Sequence, residues 1–269
     1  MIIDFHTHVF PDKIAQSTID ALKARSSSTP YTDGTVDGMV KALERANADI
    51  AITLPVLTKA TQFDSVLNFA VEINKKFANA NKKLISFAGM HPDCDNVEEK
   101  MLKIKEFGIK GIKIHPDYQA TYIDDERYIN ILKLAKKHDI VVITHAGVDD
   151  GYKGEPVRCP VDRVKKVIED VDYDKFVLAH FGGHRLSEQV YNELAGLNVY
   201  FDTAFTLHEI DKTTFEKIVN KHCADKILFA TDCPWRDIKL DYDILKSYNL
   251  DKEVFDKITY QNAVKLLNL

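Results

Sequence analysis

Short apolar runs recur along the chain, and each is followed by a segment whose apolar residues return every three or four positions. The runs at residues 2–6, 49–54, 84–88, 111–115, 140–145, 176–180, 199–202 and 227–232 predict eight strands. Between them, VDGMVKALERANA, SVLNFAVEINKKFANA, VEEKMLKIKEFG, ERYINILKLAKKH, VDRVKKVIEDV, LSEQVYNELAG and TTFEKIVNKH carry the one-sided apolar stripe of amphipathic helices. Gly108 and Gly196 close two of these, and Lys137-His138 and Lys221-His222 end two others, as helix C-termini favour. DIKLDYDILKSY and DKEVFDKITYQNAVKLL predict the last helices.

Strands that are apolar nearly throughout, alternating with helices, imply a parallel sheet covered by helices. Eight such units in 269 residues match a closed (β/α)8 TIM barrel, as one α/β domain over residues 1–269. No G-x-G-x-x-G follows the first strand, which argues against a dinucleotide-binding sheet. Residues 11–36, with SSSTPYTDGT in their midst, read as one long irregular loop lying over the barrel mouth.

Charge and cysteine usage narrow the setting. With 36 basic and 41 acidic residues the net charge is −5, which offers no footprint for nucleic acid or an anionic membrane. Cys94, Cys159, Cys223 and Cys233 are far apart, as free thiols in a reducing cytoplasm would be. No secretory leader is expected, because Asp4 and His6 interrupt the first apolar run, and no run is long enough to span a membrane. A small-molecule substrate is the expected partner, with a homodimer left open.

The candidate chemistry begins at MIIDFHTHVF. Ten histidines in 269 residues make a chance H-x-H turn up in roughly one such chain in three, so context decides. On a strand, residues two apart share a face, so His6 and His8 aim two imidazoles into one space, and a shared cation is the common reason. The fifth strand ends in His145, the sixth in His180 and the eighth in Asp232; His115 ends the fourth. In a barrel these positions form one rim, where catalytic groups collect. Any one histidine after an apolar run is more simply a satisfied core residue. His6, His8, His145 and Asp232 together instead suit zinc or a similar divalent ion, manganese and iron included, with room for a water. His180 reads as a base or a second-metal ligand, and His115 as a substrate contact or a rim hydrogen-bonder. His91 serves the turn before Pro92, His138 and His222 are structural, Lys113 fills the barrel interior, and Cys233 is a small buried residue.

H-x-H on strand one, His145 on strand five, A-H-x-G-G on strand six and T-D-x-P-W on strand eight resemble the amidohydrolase superfamily. More narrowly, the chain is similar to the amidohydrolase-related branch that includes aminocarboxymuconate-semialdehyde decarboxylase-like proteins. VYFDTAF and the closing ITYQNAVKLL extend the likeness over nearly the whole chain. The resemblance implies His6, His8, His145 and Asp232 as metal ligands and His180 as the catalytic histidine. Two-metal relatives carry a bridging lysine or glutamate at the end of strand four. Here His115 ends that strand and Lys113 lies deeper, so one ion is expected and a second is left open.

A divalent ion lowers the pKa of bound water toward about 7, and His180 across the site would move the proton, with Asp232 orienting the water. The first reading is therefore a metal-dependent hydrolase of a small amide, lactone or ester bearing a carboxylate. The alternative is a non-oxidative decarboxylase of a small unsaturated or aromatic acid. A phosphoesterase resembling the metal-dependent DNases is a further alternative, although their strand-four glutamate is missing. A metal-binding barrel without catalysis is opposed by the intact His180 and Asp232. Arg25, Tyr152, Lys153, Arg158 and Arg236 are the candidates to hold a substrate carboxylate.

Overall fold

The computed structural model describes residues 1–269. Its strands are β1 (Ile3–Thr7), β2 (Ile50–Thr53), β3 (Lys83–Ser86), β4 (Ala88–Gly89), β5 (Gly111–Ile114), β6 (Val141–Thr144), β7 (Phe176–Leu178), β8 (Tyr200–Asp202) and β9 (Ile227–Leu228). All pair in parallel, in the orders β1-β2-β3 and β4 to β9. The third predicted strand is thus broken at the buried Phe87 into β3 and β4, one ending each sheet. The last segment also meets the first. Phe5 N donates to Phe229 O at 2.9 Å, Asp232 N to His6 O at 2.8 Å and His8 N to Cys233 O at 2.6 Å. The fold is that of an α/β barrel.

The helices are α1 (Asp12–Ser26), α2 (Val36–Ala46), α3 (Phe63–Phe77), α4 (Val97–Glu106), α5 (Glu126–His138), α6 (Val161–Val171), α7 (Ser187–Gln189), α8 (Lys212–His222), α9 (Ile238–Ser247), α10 (Lys252–Asp256) and α11 (Asn262–Leu267). Polar N-caps start several: Thr35 accepts from Gly38 N, Asp125 from Arg127 N and Asp211 from Thr214 N. The predicted loop over residues 11–36 is corrected by α1. Only Ala15 and Ile19 of that helix are buried, so its core stripe is too sparse to show in the sequence. None of the helices is long and apolar enough to cross a membrane.

Two apolar clusters divide the interior. The larger, of 57 residues, lies between strands and helices, while a second of 16 draws only on the strands, their flanks and α11, and so fills the staves from within. Ile3 and Phe5 belong to the inner cluster. Strict alternation would then turn His6 and His8 outward. The register prevents it: Asp4 pairs with Ala51 and Thr7 with Thr53, three steps on β1 against two on β2. This one-residue bulge brings His6 and His8 to the inside, above Phe5.

Candidate metal centre

The bulge delivers His6 and His8 to the same place as Asp232, which follows β9. His8 Nε2 lies 3.0 Å and His6 Nε2 3.4 Å from Asp232 Oδ1. The other nitrogen of each ring is already committed. His8 Nδ1 is 2.8 Å from the Leu54 carbonyl, which can only accept, so Nδ1 carries the proton. His6 Nδ1 is 2.8 Å from Asp202 Oδ2, at the end of β8. A neutral ring held this way presents its Nε2 lone pair to the site; that of His6 faces the Lys113 ammonium at 3.2 Å. Burial, and then the nearby Lys113 ammonium, hold the His6 pKa well below the usual imidazole range.

Three acceptors, His6 Nε2, His8 Nε2 and Asp232 Oδ1, therefore converge, and like lone pairs need a cation between them. Donors about 2.0–2.2 Å from a tetrahedral ion stand roughly 3.3–3.6 Å apart; the 3.4 Å spacing lies within that range and the 3.0 Å spacing a little below it. A divalent ion fits this donor set. The same trio is braced from behind. Asp4, fully buried, accepts from Thr231 Oγ1 at 2.5 Å, Thr231 N at 3.0 Å and His6 N at 3.2 Å, tying the segments that carry His6 and Asp232. Burial pushes the Asp4 carboxyl up to about 8.

His145 stands in a second group, with His115 and Asp149. Its ring stacks on His115 at 4.4 Å, and His115 Nε2 is 3.6 Å from Asp149 Oδ2. His145 Nε2 has no hydrogen-bond partner, and the nearest carboxylate oxygen, Asp117 Oδ2 at 3.9 Å, has none either. Of the four residues expected to share one ion, three are brought together and the fourth lies in this neighbouring group. His180 sits between the two, its ring 5.4 Å from His6 and 4.7 Å from His145. Its Nδ1 is 3.0 Å from the Ala204 carbonyl and its backbone N donates to Asp202 Oδ1 at 2.9 Å, so Nε2 is again a free acceptor. The backbone bends against its preference here: φ is 57° at His180, 56° at Phe181 and 72° at Asp232.

The family model described as amidohydrolase matches residues 3–269. The chain belongs to the amidohydrolase family. No curated protein matches it, but solved structures do. An uncharacterised TIM-barrel protein of Bordetella bronchiseptica is 16% identical, with 99% of this chain and 98% of that one covered and a TM-score of 0.76. A dihydroxybenzoic acid decarboxylase of Polaromonas, with bound manganese and the inhibitor 2-nitroresorcinol, is 16% identical over 100% and 97% of the two chains (TM-score 0.73). The 5-carboxyvanillate decarboxylase of Sphingomonas paucimobilis is 11% identical over 100% and 99% (TM-score 0.70).

In this amidohydrolase family member both donor groups open into one cavity of about 730 Å3, walled by Phe10, Phe69, Tyr118, Phe205 and Trp235 among others. None of the proposed arginines lines it. Arg236 is bound to the buried Asp241 at 2.6 Å, and Arg158 turns to Glu155 at 2.8 Å and lies 3.8 Å from Asp117. Arg25 donates to Tyr152 Oη at 3.0 Å in an adjoining hollow that holds both residues. Each guanidinium already has an anionic or phenolic partner, and the structure does not bring these arginines onto the cavity lining as carboxylate clamps. Lys153 does not line the cavity either.

Lys113 was read as interior filling, yet its ammonium is 3.2 Å from His6 Nε2, and burial pulls it down to about 8. Asp4, Asp202, His184 and Asp149 were missed as well. For Asp4, Lys113 and Asp202 the available signal is a charge inside an apolar strand, as in IIDF, GIKI and VYFD, because a buried charge needs a partner. His184 and Asp149 lie outside the strands and carry no such signal. His184 lines the cavity between Asp150 (3.4 Å) and Glu209 (3.7 Å). The structural readings of three histidines agree with their contacts: His91 accepts from Asp93 N, His138 meets Glu98, and His222 spans Gly196 and Val199. All four cysteines are free thiols.

Proposed function

We propose that this chain is a metal-dependent decarboxylase of a small, flat, unsaturated or aromatic acid. The observation that carries the reading is the acceptor trio opening into a cavity walled by aromatic rings, with no arginine on its lining. With no guanidinium on the lining, an ion held by His6, His8 and Asp232 would supply positive charge for a carboxylate beside the buried Lys113 ammonium. The decarboxylase names of two structural relatives and the manganese in one of them support the same reading.

When bound, a divalent ion supplies positive charge that orients the acid and stabilises negative charge as it develops. His6 and His8 are kept in the binding tautomer by Asp202 and the Leu54 carbonyl. His145 faces the same cavity from the neighbouring group and is the remaining imidazole of the proposed set. As the bond to the carboxyl carbon breaks, its electron pair stays on the ring or chain carbon, which takes one proton, and carbon dioxide leaves. His180 is the group placed to move that proton: its Nδ1 is fixed, and its Nε2 can take the proton of the incoming acid and return it to the carbon. Zinc and manganese both suit two imidazoles and a carboxylate.

Hydrolysis is the second reading, favoured by the same free Nε2 of His180, which could instead take a proton from water. Metal-loaded protein offered hydroxybenzoates and unsaturated diacids should release carbon dioxide, followed by loss of substrate absorbance. Turnover of lactones or amides with no carbon dioxide from any acid would replace the decarboxylase reading with the hydrolase one.

A further inference from the structure

The cavity extends beyond the acceptor trio to α1 and α3. Ile14, Thr18 and Leu22 line it from α1, and Val66 and Phe69 from α3. Residues 14, 18 and 22 are four apart and share one stripe of α1, while Ala15 and Ile19 pack into the protein. On α3 the buried residues are Phe63, Leu67, Ala70, Ile73 and Phe77, so Val66 and Phe69 lie beside that core stripe. α1 thus carries apolar side chains, Ile14 and Leu22, that the core does not use, while Val66 and Phe69 are half-buried at the edge of the core and also line the cavity. Ile14 remains 42% exposed. Exposed Lys13 and Glu72 are the charged side chains that α1 and α3 add to the lining.

Size points the same way. Pockets of roughly 300–1,000 Å3 bury drug-sized ligands, and this one is about 730 Å3, more than a single carboxylated ring requires. We propose that the substrate is an acid bearing an extended apolar substituent, which lies between α1 and α3 while the acid group meets the trio. Ile14, Leu22, Val66 and Phe69 are then the residues that select for substituent length. This rests on the decarboxylase reading for the reacting end alone. The slot is continuous with the metal-binding trio, and its apolar stretch makes a substituent of matching chemistry the occupant.

Calorimetry on the metal-loaded protein tests this with resorcinol and its 4-ethyl, 4-butyl and 4-hexyl derivatives, which mimic decarboxylated products. Burial of a methylene is worth roughly fourfold in affinity when complete, so a gain of about two- to fourfold per methylene is expected through the butyl compound. The double variant Ile14→Ser, Phe69→Ser should flatten that slope, with circular dichroism and metal content as controls. Equal affinity for resorcinol and 4-hexylresorcinol, or the full slope retained in the double variant, would overturn the slot. If dihydroxybenzoate is decarboxylated but the slope is flat, the reaction reading stands and the slot falls. A steep slope without decarboxylation of any aromatic acid leaves the slot standing and removes the reaction reading.

Discussion

Two groups on one cavity have the same composition, two histidines and an aspartate, yet they are built differently. In the first, each imidazole has its far nitrogen fixed: His6 by Asp202, His8 by the Leu54 carbonyl. In the second, His115 Nδ1 accepts from Tyr118 N at 3.4 Å, so its Nε2 carries the proton, toward Asp149, and has no lone pair to offer, while His145 stacks on it. The difference shows what makes a donor set into a metal site. Proximity alone is cheap in a histidine-rich rim, whereas a tautomer fixed with its lone pair toward the site removes the cost of arranging it when an ion arrives.

The comparison breaks most plainly at the metal itself. Replacing His6 and His8 together by alanine should take the protein from about one equivalent of divalent ion to less than a tenth, read by elemental analysis. His115→Ala with Asp149→Asn should leave about one equivalent, because the first group is intact. His145→Ala falls between, lowering affinity without abolishing it if it completes the first set. Loss of metal in the His115/Asp149 variant, with retention in the His6/His8 variant, would reverse the two groups' roles.

The next effect is on turnover. His180→Ala should retain the metal and lose about 100- to 10,000-fold in kcat, the usual worth of a positioned proton-transfer group. His180 touches neither group's ligating atoms through its fixed Nδ1, so a fall in metal content instead would make it a ligand. Full activity with full metal would leave the reaction without its proton carrier.

How far the sequence could have foretold this contrast depends on which physics is local. Apolar runs and helical stripes are local, so eight strands and most helices were legible, down to residues 126–138 and 161–171. The H-x-H pair and Asp232 were legible too, because strand ends of a barrel share one rim. The bulge that turns His6 inward was not, since one extra residue on β1 shows only against β2. Nor was the partner of Arg236: sequence says that a guanidinium is present but not that Asp241, five residues on, will face it. The length of α1 was hidden because its apolar residues are divided between core and cavity.

Asp202 offers a finer test of the tautomer argument. Asp202→Asn keeps the shape but replaces the carboxylate that meets His6 Nδ1, and partners of this kind are worth about 10- to 100-fold in metal affinity. Competition with a chelator should show that loss in the first group, whereas Asp117→Asn, 3.9 Å from His145 Nε2, should shift it by less than about threefold. Equal losses in both variants would mean that the two groups hold one ion between them.

The smallest effect belongs to the α1 side of the cavity. Arg25 donates to Tyr152 at 3.0 Å and lies 4.8 Å from its ring centre, both near the surface and outside the main lining. Exposed contacts of this sort contribute about 0–1 kcal/mol, so Arg25→Ala should alter KM by no more than about fivefold, with metal content and kcat unchanged. The contrast with His6 is one of position: a guanidinium that already has a partner at the rim has little left to give a substrate. A KM raised more than tenfold at constant kcat would show that Arg25 leaves Tyr152 to hold the substrate's acid group. The α1 side would then take part in recognition through charge as well as through its apolar stripe.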